Sequence, residues 1–312
     1  MDRTINSAVV TGPTGAVGTA LCSYLAEQGI EVYAAVRPES PRGAHLRSLP
    51  GVRVIPCDLR ELERLPERVP CAEAWFHLAW AKTVGQGRYD MPAQIDNIRH
   101  TIAACRAAGE MGCKVFVGAG SQAEYGRFDG ALTPETPCFP ENGYGMAKLC
   151  AGQMSRVECE RLGIRHVWAR ILSVYGPWDG AGSMISATIR RLLAGERPPL
   201  SPGTQLWDYL YAEDAAQGLY RMAVSGRDGM VYPLGSGNAR PLGSYIRCLR
   251  DAIDPALPLG FGEIPFSPKQ VMRLQADISA LQRDTGFAPK VDFEAGIRKT
   301  IEWMKEQGNE FR

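Results

Sequence analysis

Net charge is the first thing in short supply. The 312 residues carry 35 Lys and Arg against 34 Asp and Glu, a formal balance of +1. There is neither a basic stripe interleaved with aromatics nor an acidic tail, which argues against a nucleic-acid-binding surface. Long apolar runs are missing too. The longest, around Trp75 to Ala81, is interrupted by His77 and is far too short to cross a bilayer. The opening MDRTINSAVVTG enters a strand with no apolar leader, so no signal peptide is expected and a cytoplasmic location is. Nine cysteines show no Cys-x-x-Cys spacing and sit in apolar or helical runs, as Cys22, Cys105 and Cys150 do. They read as reduced thiols, and no metal site is expected. Internal repeats and low-complexity segments are absent. What is present, 45% hydrophobic and 22% charged residues, suits an ordinary soluble protein with a large core.

Along the chain, short apolar strands alternate with helical stretches. Strands are expected at 7–10, 31–36, 52–56, 74–79, 114–118 and 165–172. Helices are expected from the TGPTGAVG turn to Glu27, over 91–111, and around Tyr144 and Lys148. This alternation implies an α/β chain, with parallel strands, right-handed crossovers and helices on both faces of a doubly wound, Rossmann-like sheet. Beyond Gly176 prolines and glycines punctuate shorter elements. The expected division is 1–174, with roughly 206–238, as a nucleotide-binding domain, and roughly 175–205 and 239–312 as a smaller α/β substrate lobe.

Gly12, Gly15 and Gly18 fall between the first strand and the first helix, spaced G-x-x-G-x-x-G. A side chain there would obstruct the tight turn, the approach of a pyrophosphate or the packing of helix on strand. The helix start then offers free N–H groups and a positive dipole end to phosphates. The second strand ends Ala35-Val36-Arg37-Pro38, with no acid before Glu39 to hold a ribose 2′-hydroxyl. Arg37 can pair with a 2′-phosphate, so NADP(H) is favoured and NAD(H) stays possible. Asp58, beside Leu59, could accept from the adenine amino group or equally cap a turn.

Tyr144 and Lys148 stand four residues apart, on one helix face and about 6 Å apart along its axis. A protonated Lys beside a phenol favours phenolate and is expected to pull its pKa down from about 10. Ser121, at the end of the fifth strand, is by itself a turn cap. With Tyr144 and Lys148 present it becomes a candidate catalytic hydroxyl.

Together these motifs resemble the extended short-chain dehydrogenase/reductases of the sugar-nucleotide epimerase/dehydratase/reductase group. The residues carrying the resemblance span nearly the whole chain: TGPTGAVG at 11–18, Asp58-Leu59, His77-Leu78-Ala79, Asn97, GSQAEYG at 120–126, Tyr144-x-x-x-Lys148, Arg170, YGP at 175–177, WDYLYAEDAA at 207–216, and a closing run from Asp277 to Trp303. The resemblance implies cofactor contacts at Gly12, Thr14, Gly15, Ala16, Val17, Gly18, Arg37, Asp58, Leu59, Leu78 and Ala79. It implies Tyr144 as proton donor to a carbonyl that takes hydride from the nicotinamide, Lys148 on the nicotinamide ribose, and Ser121 on the same oxygen as Tyr144. Substrate contacts are expected at Trp80, Gln122, Glu124, Ser173 and Trp207, and a homodimer is possible. His77 is expected to be structural.

Two departures shape the functional expectation. Dehydratases of this group carry Asp-Glu just after the catalytic hydroxyl, where this chain has Gln122-Ala123, so a 4,6-dehydratase is not expected. Trp207 replaces the Arg that pairs with a substrate diphosphate in many relatives, leaving Arg190, Arg191 or Arg273 as candidates for that task. The leading expectation is an NADP(H)-dependent reductase of a nucleotide-activated 4-keto-6-deoxy sugar. Alternatives are a nucleotide-sugar 4-epimerase with tightly held NAD, a reductase of a small aromatic or lipid ketone, and a non-catalytic NADP-binding sensor or scaffold.

Overall fold

The computed structural model describes residues 4–69 and 71–307. The first half runs β1 (Ser7–Thr11), α1 (Ala16–Glu27), β2 (Glu31–Val36), β3 (Val52–Pro56), β4 (Ala74–His77), α2 (Met91–Glu110), β5 (Val115–Ser121), α3 (Gly143–Arg161) and β6 (Arg165–Ile171). It continues through β7 (Ser173–Tyr175), α4 (Met184–Leu193), β8 (Pro199–Leu200), β9 (Leu206–Trp207), β10 (Tyr209–Tyr211), α5 (Ala212–Ser225) and β11 (Met230–Leu234). It closes with β12 (Arg240–Pro241), α6 (Leu242–Ile253), β13 (Gly260–Phe261), β14 (Arg273–Leu274), α7 (Ser279–Thr285) and α8 (Phe293–Glu306).

Seven strands form one parallel sheet in the order β11-β6-β5-β4-β1-β2-β3. Alternate residues of each strand feed opposite faces, the period-two consequence of the pleat. Ala8, Val10, Val32, Ala34, Phe76, Val115 and Val117 pack with Leu21, Cys22 and Leu25 of α1 and with α5. Val9, Tyr33, Ala35, Trp75 and Phe116 pack with Ala104, Cys105 and Ala108 of α2 and Cys159 of α3. The doubly wound reading therefore holds. The differences lie at strand ends: β4 stops at His77, and β5 starts one residue later and runs on to Ser121. The extra length of β5 comes from its ladder to β6, which continues through Ser121 opposite Ile171.

The chain leaves β1 in one direction across the sheet and β4 in the other, so β1 and β4 flank the switch in strand order. Ligands in such sheets bind in the crevice beyond the carboxyl ends at that point. Outside the sheet, short ladders join β7 to β10, β9 to β12 and β14, and β8 to β13. Tyr175, Ile189, Tyr211, Tyr245, Phe293 and Ile297 form a third apolar cluster there. Two carboxylates tie these segments together. Asp208, fully buried, accepts from the backbone N–H groups of Ser236 at 2.7 Å, Gly237 at 3.0 Å and Ala276 at 3.0 Å. Asp214 accepts from those of Lys290 and Val291. Both aspartates of the WDYLYAEDAA run are structural fasteners.

Candidate active site

The glycine turn sits at the switch point. Gly12 has φ +72°, and a Cβ there would lie 2.7 Å from the Ala79 amide nitrogen at the end of β4. A Cβ on Gly18 would lie 2.1 Å from the Gly12 carbonyl oxygen. Gly15 is the N-cap of α1, has no side chain to satisfy the first helical N–H groups, and faces open space. Unsatisfied helix-start donors beside a side-chain-free approach are what a pyrophosphate requires. A cleft of about 470 Å³ begins there, lined by Thr11, Gly12, Thr14, Arg37, Leu59, Ala79 and Trp80. These residues fit a dinucleotide cofactor. Ala16 and Val17 open α1 at the same turn. Asp58 caps the turn after β3, accepting from the Arg60 backbone N–H at 3.1 Å and the Arg60 side chain at 2.7 Å, and lines a second opening with Arg37, Ser40 and Arg60.

Ser121 ends β5 and Tyr144 lies in the first turn of α3, which Asn142 caps by accepting from the Gly145 N–H at 2.9 Å. The Ser121 hydroxyl is close enough to Tyr144 to favour its phenolate. One turn on, the ammonium of buried Lys148 donates to the Ala119 carbonyl at 2.5 Å and sits 3.8 Å from the centre of the Trp80 ring. Burial pulls Lys148 down to about 7, while the charge of Glu124 works the other way.

Tyr144 departs from expectation. Burial raises its pKa above 10; the Ser121 hydrogen bond and Arg88 pull it down, and Glu124 pushes it up. The cation nearer the phenol ring is Arg88, 4.7 Å from its centre, against 5.9 Å for Lys148. Lys148 is turned instead to the Ala119 carbonyl and the indole of Trp80. Arg88 lies in the polar stretch before α2, where periodicity gives no signal.

Trp80 meets Tyr144 edge-on at 6.1 Å and donates its indole N–H to Gln94 at 2.9 Å. Gln94 also holds the Lys82 and Gly87 carbonyls, and Asn97 pairs with both the N–H and the carbonyl of Ala81. These two buried amides of α2 thus fix the loop bearing Trp80 and Arg88. His77, beside the cofactor cleft, is enclosed between the hydroxyls of Thr11 at 2.9 Å and Thr101 at 3.3 Å. Burial lowers its pKa to about 3, so it stays neutral.

The expected substrate residues separate. Gln122 is half-buried beside Ser121. Glu124 does not face open space: it is fully buried and accepts from the Ser121 N–H at 2.7 Å, the Trp168 indole N–H at 3.1 Å and Arg170 at 2.7 Å. The reason is the cation beside it, since a carboxylate at that depth needs a partner. Half-buried Trp207 donates its indole N–H to the Ser173 hydroxyl at 2.8 Å, so these two act as a pair. Arg190 donates to the Ala181 carbonyl and Arg273 to Gln275, each within its own segment.

Comparison with known proteins agrees with this geometry. The family described as NAD dependent epimerase/dehydratase matches residues 8–235. A dTDP-glucose 4,6-dehydratase from Shigella flexneri is 28% identical over 185 residues, 57% of this chain and 51% of that protein. The chain thus spans about half the length of the first curated relatives it matches. Among solved structures, a UDP-N-acetylglucosamine 4-epimerase from Methanobrevibacter ruminantium M1, in complex with UDP-N-acetylmuramic acid, superposes with TM-score 0.87 at 23% identity, covering 98% of this chain and all of the other. That likeness speaks to the fold. MoeE5, in complex with UDP-glucuronic acid and NAD, gives TM-score 0.83 at 26% identity over 96% of this chain and 99% of the other.

These findings overturn one expectation. Gln122-Ala123 do not set the chain apart from dehydratases, because its curated relatives include proteins of that name. Elimination needs an acid and a base near the sugar, and two sequence positions do not determine which side chains reach it. Among the described residues no helix is long and apolar enough to cross a membrane.

Proposed function

The chain belongs to the NAD dependent epimerase/dehydratase family, and on that premise we propose that it reduces the keto group of a nucleotide-activated 4-keto-6-deoxy sugar with NADPH. One observation carries this reading: the Ser121 and Tyr144 hydroxyls come together at the carboxyl end of β5, with Lys148 one turn on and the glycine turn at the same sheet edge. When bound, the nicotinamide supplies the hydride. Tyr144, held protonated at neutral pH by its raised pKa, gives its proton to the carbonyl oxygen. Ser121 donates a second hydrogen bond to that oxygen, and Arg88 over the phenol ring steadies the phenolate left behind. Lys148, one turn on and held by the Ala119 carbonyl, would hold the nicotinamide ribose.

Support for a nucleotide sugar comes from the relatives: MoeE5 is in complex with UDP-glucuronic acid and NAD, and the first curated relatives are named dTDP-glucose 4,6-dehydratases. Support for NADPH comes from exposed Arg37, whose guanidinium can pair with a 2′-phosphate; it shares an opening of about 770 Å³ with Ser40, the Asp58–Arg60 ion pair and the carboxylates of Glu39 and Glu61. A second reading, a 4-epimerase that recycles held NAD, has the NAD of MoeE5 and other similar structures in its favour. We also infer a homodimer through α2 and α3, where Met91, Ile95, Met146, Met154 and Val157 are all exposed.

Nicotinamide fluorescence of the purified protein, with NADPH or NADH and a panel of dTDP-, UDP- and CDP-4-keto-6-deoxy sugars, tests the reading. Stoichiometric consumption of NADPH with one sugar supports it. Interconversion of a sugar, or loss of water from it, while the cofactor is conserved would replace it.

A further inference from the structure

Glu124 is an expected substrate contact that the structure turns away from open space and that the proposed chemistry does not use. Its carboxylate lies behind the reacting hydroxyls. One oxygen accepts from the Ser121 backbone N–H at 2.7 Å and from Trp168 at 3.1 Å, and the other from Arg170 at 2.7 Å. Ser121 answers with its own hydroxyl, which accepts from the Ala123 N–H at 3.2 Å and completes a reciprocal cap. Glu124, Arg170 and Trp168 are all nine-tenths buried or more. The Arg170 guanidinium lies 4.4 Å from the centre of the Tyr125 ring.

The strands are cut to admit this cluster. A Cβ on Gly120 would lie 2.3 Å from the Trp168 indole nitrogen and 2.5 Å from a Glu124 carboxylate oxygen. A Cβ on Gly118 of β5 would lie 2.2 Å from the Trp168 ring, and one on Gly152 of α3 would lie 2.7 Å from it. The indole therefore fills a slot between the strand that ends in Ser121 and the helix that carries Tyr144 and Lys148. A buried ion pair adds little net stability over an apolar filling. An arrangement that needs glycines on two elements is better explained by the geometry it imposes.

We propose that Glu124 is the positioning residue of this site: held by Arg170 and Trp168, it fixes the end of β5 so that the Ser121 hydroxyl stays opposite Tyr144. The proposal rests on the reading of Ser121 and Tyr144 given above. Glu124 also acts on Tyr144 at a distance. The charged groups around the phenol are Arg88 from the loop before α2, Lys148 from its own helix and Glu124 from the turn after β5, and the last opposes ionisation.

Glu124→Gln tests it, because it keeps the shape and removes the charge. With a sugar that consumes NADPH, kcat is expected to fall roughly 10- to 100-fold, with KM for both substrates within about twofold. In a Ser121→Ala background the same change should cost less than about twofold, since the group it acts through is gone. A readout free of turnover is the phenolate absorbance of the protein minus that of its Tyr144→Phe variant. Glu124→Gln should move that titration to lower pH.

Unchanged kcat together with an unchanged titration would overturn the proposal, as would full additivity with Ser121→Ala. Full turnover in Tyr144→Phe and Ser121→Ala would instead sink the functional reading, leaving the titration to judge Glu124. If Glu124→Gln does not fold, Trp168→Phe keeps an aromatic ring in the glycine slot and removes one donor. A roughly threefold or larger loss of kcat at constant KM is then expected, and no loss would refute the idea.

Discussion

Three glycines at the start of α1 do different work, and substitution can separate them. At Gly15 the backbone is extended, with φ −94° and ψ 174°, and no atom lies within 4 Å of an added Cβ. Alanine is a poorer N-cap than glycine by a few tenths of a kcal/mol, and it restricts the unfolded chain by a comparable amount in the opposite direction. Gly15→Ala should therefore melt within roughly 1 °C of the parent. Its methyl nevertheless stands at the helix start where a pyrophosphate approaches, and the dissociation constant for NADPH should rise at least about tenfold, or ~1.4 kcal/mol. Gly18→Ala differs in kind. Its Cβ would lie 2.1 Å from the Gly12 oxygen and 2.7 Å from the Pro13 Cα, both backbone atoms that cannot swing aside. The turn must move by about 1 Å, a cost of about 1–3 kcal/mol, which lowers Tm by roughly 1.5–5 °C at this chain length. Differential scanning fluorimetry and NADPH fluorescence titration measure the two effects separately. If Gly15→Ala destabilises as much as Gly18→Ala, or keeps parental cofactor affinity, the assignment of the turn is wrong.

Other expectations follow from the same geometry. Tyr144→Phe should keep NADPH affinity and lose turnover by about 10²–10⁴-fold, checked by titration and steady-state rates on one preparation. Arg37→Ser should weaken NADPH binding by about tenfold or more while leaving NADH within about twofold, and the difference should shrink at high salt. Lys148 loses its proton in the folded protein near pH 7 rather than near its ordinary 10.5. Between those values the unfolded chain holds the extra proton, so this group makes stability rise with pH, a rise that Lys148→Met should remove from urea midpoints at pH 7 and 9. Met154→Glu with Val157→Arg, on the exposed face of α3, should give a monomer by sedimentation without a loss of Tm.

Much of the fold was legible because burial on both faces of a parallel sheet leaves a strong mark. β1, β2 and β6 read as short apolar runs, and the helices between them supply the alternation that dictates parallel pairing. The carboxyl ends of strands were less legible. β5 continues beyond Gly118 through Ala119 and Gly120 to Ser121, a stretch whose strand signal is weak because glycine has low strand propensity. The glycines are there to admit Trp168, which comes from a strand more than forty residues later in the chain. A long-range packing demand of this kind leaves no periodic trace.

The site divides along the same line. Gly12, Ser121, Tyr144 and Lys148 were legible because each owes its place to local structure: a turn, a strand end, one face of a helix. The groups that tune them were not. Arg88 reaches the phenol from a polar loop, and that loop is held by Gln94 and Asn97, two amides that bind backbone atoms 7 to 16 residues back along the chain. Local pairing of Tyr144 with Lys148 suggested a lowered phenol pKa. Burial outweighs that charge, and the ammonium is engaged by the Ala119 carbonyl and the Trp80 ring instead. Glu124 went further astray. Placed two residues beyond Gln122, it had the sequence profile of a substrate contact, yet Arg170 of the neighbouring strand draws it inward. The register of β5 against β6 puts Gly120 opposite Arg170, so the pair forms whatever the substrate is. Reactive groups can be read from spacing alone, whereas the electrostatic environment that sets their protonation is a property of which strands become neighbours.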